Sequence, residues 1–239
     1  MTLTADQIVD RRSLRRKVSF WRVIAFLAIA AALIVGIALV AGRDGFPGLQ
    51  PPQVARITIS GFITEDRKQI ELIEKVAEAD SVAGVIVAID STGGATAGGE
   101  ALYDALRKLA AEKPTVAQIG TVGASAAYMA AIATDHVIAR RTSITGSIGV
   151  IFQYPEVGGL LERLGIDIEE VKSSPLKAAP SLFEPASPEA LAVIDSVVDD
   201  TYQWFVDIVA ERRALDRADA LTLADGRIYT GHQALDAGL

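Results

Sequence analysis

The chain has 239 residues, half of them hydrophobic, with 23 basic and 30 acidic side chains for a formal net charge of −7, two histidines and no cysteine. Without cysteine there is no thiol nucleophile, disulfide framework, thiolate-bound zinc or iron–sulfur cluster, and two histidines do not make a His-rich metal site. The apolar content excludes an intrinsically disordered chain, and the net charge argues against a nucleic-acid binder.

The average charge conceals a split. Residues 1–22 carry Arg11, Arg12, Arg15, Arg16, Lys17 and Arg22 against Asp6 and Asp10, a balance of +4, so the remaining 17 basic and 28 acidic residues stand at −11. Val23 to Gly42 is an uncharged apolar run of 20 residues, and at about 1.5 Å per residue it covers the roughly 30 Å of a bilayer's hydrocarbon. Its length and basic flank predict an uncleaved anchor over 23–42; a cleaved signal peptide usually has an apolar stretch of about 7 to 15 residues. The small residues Ala38 to Gly42 keep cleavage open as the alternative. An uninterrupted apolar circumference does not suit a core helix. The positive-inside rule places 1–22 in the cytoplasm and everything after Arg43 across the membrane, in a periplasmic or extracellular space. A Gly- and Pro-rich tether is expected over 43–54, followed by one globular domain over 55–239.

Within that domain strands and helices alternate. Val54 to Ser60 is expected as a strand and Arg67 to Ala79 as a helix with apolar spacing through Ile70, Ile73 and Val76. Val82 to Asp90 is a β-branched run of the kind buried on both faces of a sheet. A Gly-rich loop, STGGATAGG, then leads into a helix over Glu100 to Ala111. Thr115 to Ile119 is expected as a strand, Ser125 to Thr134 as an Ala-rich helix, and His136 to Ala139 and Ile148 to Phe152 as further strands. Pro188 to Arg213 is an amphipathic helix, either a core element or a packing surface for other copies. The alternation predicts an α/β domain with a mainly parallel sheet.

Chemistry concentrates at two strand-to-helix junctions. In Asp90-Ser91-Thr92-Gly93-Gly94, adjacent glycines can turn the backbone tightly and present N–H groups to a phosphate or an oxyanion, or can simply make a turn. The motif fits neither a dinucleotide-binding fingerprint nor a P-loop. In GTVGASAAY, Ser125 stands where a strand gives way to a helix of small residues, a placement that suits either a helix N-cap or an exposed nucleophile beside N–H groups that stabilise negative charge. A nucleophile needs a base. His136 lies near a strand end and His232 at the start of a C-terminal helix that it could cap, and neither has an evident carboxylate partner. Lys68, Lys75, Lys108 and Lys113 fall on solvated helix faces or ends. Lys172 and Lys177 follow Ser125, in the long irregular stretch VKSSPLKAAPS. A lysine base must be neutral, which requires desolvation, and Lys177 has the less polar neighbours of the two.

The succession DSTGG, GASAAYMAA, TDHVIARRTSITGSIGVI, VKSSPLKAAPS and ADGRIYTGHQALDAGL resembles the bacterial signal peptide peptidases of the short, single-domain form. The resemblance runs in order from about Arg56 to Leu239. It implies a Clp protease/crotonase-like fold of repeated β-β-α units preceded by one transmembrane helix, and a membrane-anchored serine endopeptidase. Site by site it implies Ser125 as nucleophile, Lys177 as general base, Gly94 and the Ala126 N–H as oxyanion donors, and Ser147 as the residue orienting the lysine, with no cofactor and no metal. Lys172 matches a non-catalytic lysine, and both histidines take bland roles. Further implied are apolar peptides, remnant signal peptides above all, as substrates, and a homo-oligomeric ring on the inner membrane in which adjacent protomers share an active site.

The chain also departs from the family pattern. Thr92 replaces the usual Pro, Ala126-Ala127 replace a Gly-Gly pair, and Ala178 stands where an acidic residue is common. The Ala126 methyl is expected to narrow the substrate pocket, and a groove lined by Ala124, Ala126 and Ala127 is expected to receive apolar side chains. The chain stops at AGL, where relatives usually continue. Two rival readings are a crotonase-like acyl-CoA enzyme using the Gly-Gly loop, which would be cytosolic and need acidic catalytic residues, and an inactive anchored scaffold.

Overall fold

The computed structural model describes residues 5–44 and 51–239, with side chains described over 17–38 and 51–239. Two units result, Met1–Pro52 and Gln53–Leu239.

In the first unit α1 (Ala5–Asp44) is one continuous helix of 40 residues. Its stretch Lys17–Ala38, 22 residues, holds an 18-residue window of mean hydropathy 2.4 with none of that window buried, long and apolar enough to cross a bilayer. The anchor expected over 23–42 lies within this helix, although the side chains of 39–42 fall outside the described residues. So do residues 1–4 of the basic segment and 45–50 of the tether. Gln53 and Val54, expected as tether, already belong to the first strand.

The second unit is built on a sheet of β1 (Gln53–Ile63), β2 (Val82–Gly94), β3 (Thr115–Ala124), β4 (His136–Ala139), β5 (Ile144–Gly146) and β6 (Ile228–Thr230). The order is β1-β2-β3-β5-β6, with β4 also on β3. The first five strands pair in parallel, and β6 runs antiparallel to β5. β3 is long enough to pair two short strands in succession along one edge, β4 through Val116–Ile119 and β5 through Val122–Ala124. In β2, flanked on both sides, Val85, Val87, Ala88 and Ile89 are all buried, as its continuous apolar run requires.

The helices are α2 (Arg67–Glu78), α3 (Thr96–Glu112), α4 (Ala126–Ile132), α5 (Gly158–Arg163), α6 (Pro188–Arg213), α7 (Arg217–Leu223) and α8 (Gly231–Ala237). Asp66 caps α2, accepting from Lys68 N at 2.9 Å. Every residue of α4 is buried, because a nearly all-alanine helix is thin enough to lie against β2 and β3 with α3 and α6 packed over it. Its C-terminal carbonyls, which a helix cannot satisfy internally, are met by two arginines. Arg107 Nη1 donates to Ala133 O at 3.0 Å, and Arg212 donates from Nε to Ile132 O at 2.9 Å and from Nη2 to Thr134 O at 3.1 Å.

Three local expectations are corrected. The glycine-rich stretch is not a loop: β2 continues to Gly94 and α3 begins at Thr96, so Gly98 and Gly99 are helical and serve close packing. A Cβ on Gly98 would come within 2.6 Å of Thr64 C. The strand expected over Ile148 to Phe152 does not form. Ser147 breaks the extended run at φ 51° and the strand is Ile144–Gly146 instead; Ile148 is a core anchor, while Ile151 and Phe152 are exposed. Third, α4 is seven residues long, shorter than the span expected over 125–134. The amphipathic helix α6 forms over the span expected for it, with Phe205, Val206, Ile208 and Val209 in the core and Leu191, Val193 and Val197 exposed.

Candidate active site

Ser125 sits between the end of β3 and the start of α4 at φ 55°, ψ −126°, a backbone conformation that side-chain-bearing residues rarely adopt. The turn is held from both sides. Ser125 N donates to Gly146 O at 2.9 Å, and Ser125 O accepts from Tyr128 N at 2.8 Å and Met129 N at 3.1 Å. The hydroxyl makes no capping bond to the helix it precedes, so the N-cap alternative is not realised. A half-buried serine on a strained strand-to-helix turn, with its hydroxyl uncommitted, is an arrangement able to present a nucleophile.

Four non-glycine residues have positive φ among the described residues: Ser125, Ser147, Ala178 and Ala214. Ala214 is an ordinary left-handed C-cap of α6. The other three are the expected nucleophile, the expected lysine-orienting serine and the residue following the expected base. Such strain collects at functional sites, because packing there must hold a geometry the local chain would not choose.

Gly93 and Ser147 both come to the Ser125 turn. Gly93, at φ 103°, lies so close that a Cβ on it would stand 2.8 Å from Ser125 Cβ and 3.1 Å from Ala126 N. Only glycine fits there. Its N–H donates to Ser91 Oγ at 3.1 Å, while Gly94, the residue named as oxyanion donor, pairs with Ile63 on β1. Asp90 ties this junction to β3 by accepting from Val122 N at 3.1 Å. Ser147 directly follows Gly146, the acceptor of the Ser125 amide, and donates its own N–H to Arg227 O at 2.8 Å.

Ala126 is buried, as are Ala124 and Ala127, so these three do not line an open groove and the expected groove is corrected. The Ala126 methyl is received by Gly99 of α3, whose own Cβ would stand 2.8 Å from it. The methyl that replaces the family's usual hydrogen is thus turned into the helix interface, and it does not narrow a substrate pocket.

The lysines separate clearly. Lys172 pairs with Glu170 and, at 3.3 Å, with Glu184; hydrogen bonding to Glu170 foremost raises its pKa, which keeps it a cation and unfit as a base. Lys177 occupies an exposed turn, its N–H donating to Ser174 O at 3.1 Å. Its apolar sequence neighbours do not bury it, and within the single chain its ammonium makes no hydrogen bond to Ser125 or Ser147 among the described residues. His136 is exposed at the start of β4. His232 lies 3.6 Å from Asp236 on the surface of α8, and the cap of that helix is Thr230, in a capping box with Gln233.

Sequence reading took Gly93 as one of a pair of turning glycines and did not single out Gly99 or Arg212, and all three shape the site. The run GGATAGG carried a signal for two of them, since glycines four to six positions apart beside a small-residue helix mark close backbone approach as well as turns. Arg212 was not signalled, because its partners are 78 and 80 residues away.

The family model of peptidase family S49 matches residues 107–239. A candidate protease of Synechocystis sp., slr0021, is 35% identical over 188 residues, which cover 78% of this chain and 68% of that protein. A candidate signal peptide peptidase of Enterococcus faecium, SppA, is 30% identical over 206 residues, 80% of this chain and 60% of the relative's length. Among solved structures, a serine-to-alanine variant of the 1510-N membrane-bound stomatin-specific protease superposes with a TM-score of 0.51 over 80% of this chain and 78% of its own, at 14% identity. At that identity the likeness is one of fold, and the α/β protease fold expected from the sequence is the one found.

Proposed function

Since the chain belongs to peptidase family S49, we propose that it is a membrane-anchored serine endopeptidase in which Ser125 is the nucleophile and Lys177 the general base, acting on apolar peptides such as remnant signal peptides. The observation that carries the reading is Ser125 itself, held at φ 55° at the end of β3 with its hydroxyl uncommitted. Membership in a peptidase family speaks against the acyl-CoA alternative.

In the proposed reaction Ser125 Oγ attacks the scissile carbonyl carbon while the neutral Lys177 amine takes the hydroxyl proton. The tetrahedral oxyanion is met by the N–H groups of Gly94 and Ala126. Collapse expels the amine of the leaving peptide, which takes the proton back from Lys177, and water then hydrolyses the acyl-enzyme by the same proton route. Ser147, one residue beyond the carbonyl that holds the Ser125 amide, orients the Lys177 amine. Lys172, bound to two carboxylates, stays outside the chemistry.

A lysine base needs desolvation, and Lys177 is exposed in the single chain. We therefore take the working enzyme to be a homo-oligomer, a ring in which a neighbouring protomer covers this segment. The exposed Leu191, Val193 and Val197 of α6 supply apolar surface for such contacts. The apolar stretch of α1 and the charge asymmetry around it support insertion in the inner membrane, N-terminus in the cytoplasm and peptidase domain in the periplasm. No cofactor or metal enters the scheme.

The test is cleavage of a synthetic signal peptide by the detergent-purified protein. Wild type cleaves, and Ser125→Ala and Lys177→Ala do not. Cleavage persisting in both variants would sink the dyad, and no cleavage by an intact oligomer of any form would favour the scaffold.

A further inference from the structure

With Ala124, Ala126 and Ala127 buried, the apolar wall that an apolar peptide requires must come from elsewhere. β1 supplies a candidate. Along this edge strand Ile57, Ile59 and Ile63 point into the core, and the alternate positions face out. Among those, Thr58 and Ser60 are polar, whereas Phe62 is an aromatic side chain left 72% exposed.

Its position is set by a break in the ladder. Ser60 pairs with Asp90 and Phe62 with Gly93, so one residue of β1, Gly61 at φ 73°, faces two of β2. Ser91 Oγ pins the irregularity by donating to Gly61 O at 2.5 Å. Bulges of this kind recur beside active sites, where they re-aim a side chain. The residue opposite Phe62 is Gly93, whose open face looks at Ser125 Cβ and Ala126 N. Paired strands lie about 4.8 Å apart, which puts the Phe62 Cα within about 10 Å of Ser125, and an extended peptide covers that distance in about three residues.

We infer that Phe62 is a specificity-determining residue, its ring forming the wall of a subsite for an apolar substrate side chain within three residues of the scissile bond. This rests on the peptidase reading above. Burying an aromatic ring against an apolar partner changes affinity by roughly tenfold or more. Phe62 takes no part in bond making, so it acts on substrate choice while Ser125 keeps its reactivity.

The test uses the full-length protein in detergent with wild type, Phe62→Ala and Phe62→Leu. Each is labelled with a small fluorophosphonate, which reports Ser125 reactivity alone, and assayed on a peptide series carrying Leu or Ser at each of three positions on either side of the cleaved bond. Expected are equal labelling in all three forms, a fall of roughly tenfold or more in kcat/KM of Phe62→Ala for peptides with Leu at one of those positions, loss of the Leu-over-Ser preference there, and recovery of much of it in Phe62→Leu. An unchanged preference at all six positions in a Phe62→Ala form that still labels and cleaves overturns the inference alone. A wild type that neither labels nor cleaves overturns the peptidase reading, and this subsite with it.

Discussion

Gly99 of α3 and Ala126 of α4 form a matched pair: the hydrogen at one position makes the room that the methyl at the other fills. Because Ala126 directly follows Ser125, the pair also bears on how the Ser125 turn rests on the sheet.

Gly99→Ala should therefore destabilise the domain by about 1–3 kcal/mol through overpacking, with a larger proportional loss of peptidase activity. The double variant Gly99→Ala/Ala126→Gly should recover most of both, with a coupling of about 1 kcal/mol or more in a double-mutant cycle followed by denaturant unfolding. Additive losses would mean that the two residues do not share one space.

Gly93 gives a sharper case. A methyl at this position meets Ala124 O at 2.9 Å and Ser125 Cβ at 2.8 Å, and φ is 103° besides. Gly93→Ala is expected to lower kcat at least about a hundredfold by displacing Ser125, the proposed nucleophile, or its neighbouring N–H groups. Folding should be weakened by about 1 kcal/mol or more for the backbone conformation alone. Rates compared with thermal unfolding midpoints check this, the activity loss exceeding any loss of folded protein.

The order of these elements was legible in the sequence because periodicity and β-branching are local. The buried run Val82 to Asp90 and the helices Arg67–Glu78 and Pro188–Arg213 fell where the pattern put them. The misreadings came where a residue type has two physical uses. Glycines that let helices approach were read as turn glycines, and Ile148, a single core anchor, was read as a strand. From its local context Ser125 was legible only as one of two alternatives, cap or nucleophile, and the family resemblance alone favoured the second, since its φ and its unused hydroxyl are properties of the folded chain. Phe62 gave no signal at all, because its importance depends on which residue stands across the ladder.

Arg212 reaches from α6 to the end of α4. Removing it in Arg212→Met leaves buried carbonyls at Ile132 and Thr134 without donors, at a cost of about 1–3 kcal/mol. Because the same helix begins at the Ser125 turn, kcat should fall along with stability, and Arg212→Lys, which lacks the fork to reach both carbonyls, should rescue only in part. Unfolding midpoints and peptide cleavage measured on the same samples provide the check.

Tyr128 predicts the opposite sign. Its side chain is buried, its hydroxyl has no hydrogen-bond partner among the described residues, and burial raises its pKa well above the ordinary tyrosine value. An unpaired buried hydroxyl is a cost that phenylalanine avoids. Tyr128→Phe should leave stability unchanged or raise it by up to about 1 kcal/mol, with the midpoint of thermal unfolding as the readout and peptidase activity retained. A loss of more than about 1 kcal/mol would reveal a partner for the hydroxyl.

The two lysines after Ser125 separate by pH. Lys172 has its pKa raised by hydrogen bonds to Glu170 and, secondarily, Glu184. A group whose folded pKa lies above its unfolded value contributes stability that is fully present below the unfolded pKa, about 10.4 for lysine, and is lost as pH rises through the folded one. The stability difference between wild type and Lys172→Met should therefore be flat from pH 6 to 9 and shrink only in strongly alkaline solution. Hydrolysis by Lys172→Met should match wild type throughout. Lys177 should behave in the reverse way: Lys177→Met leaves stability unchanged, since the side chain is exposed, but abolishes cleavage. Lys177→Arg, whose guanidinium keeps its proton, should be inactive at every pH. A Lys177→Arg variant that regains activity in alkali would remove the lysine from the role of base.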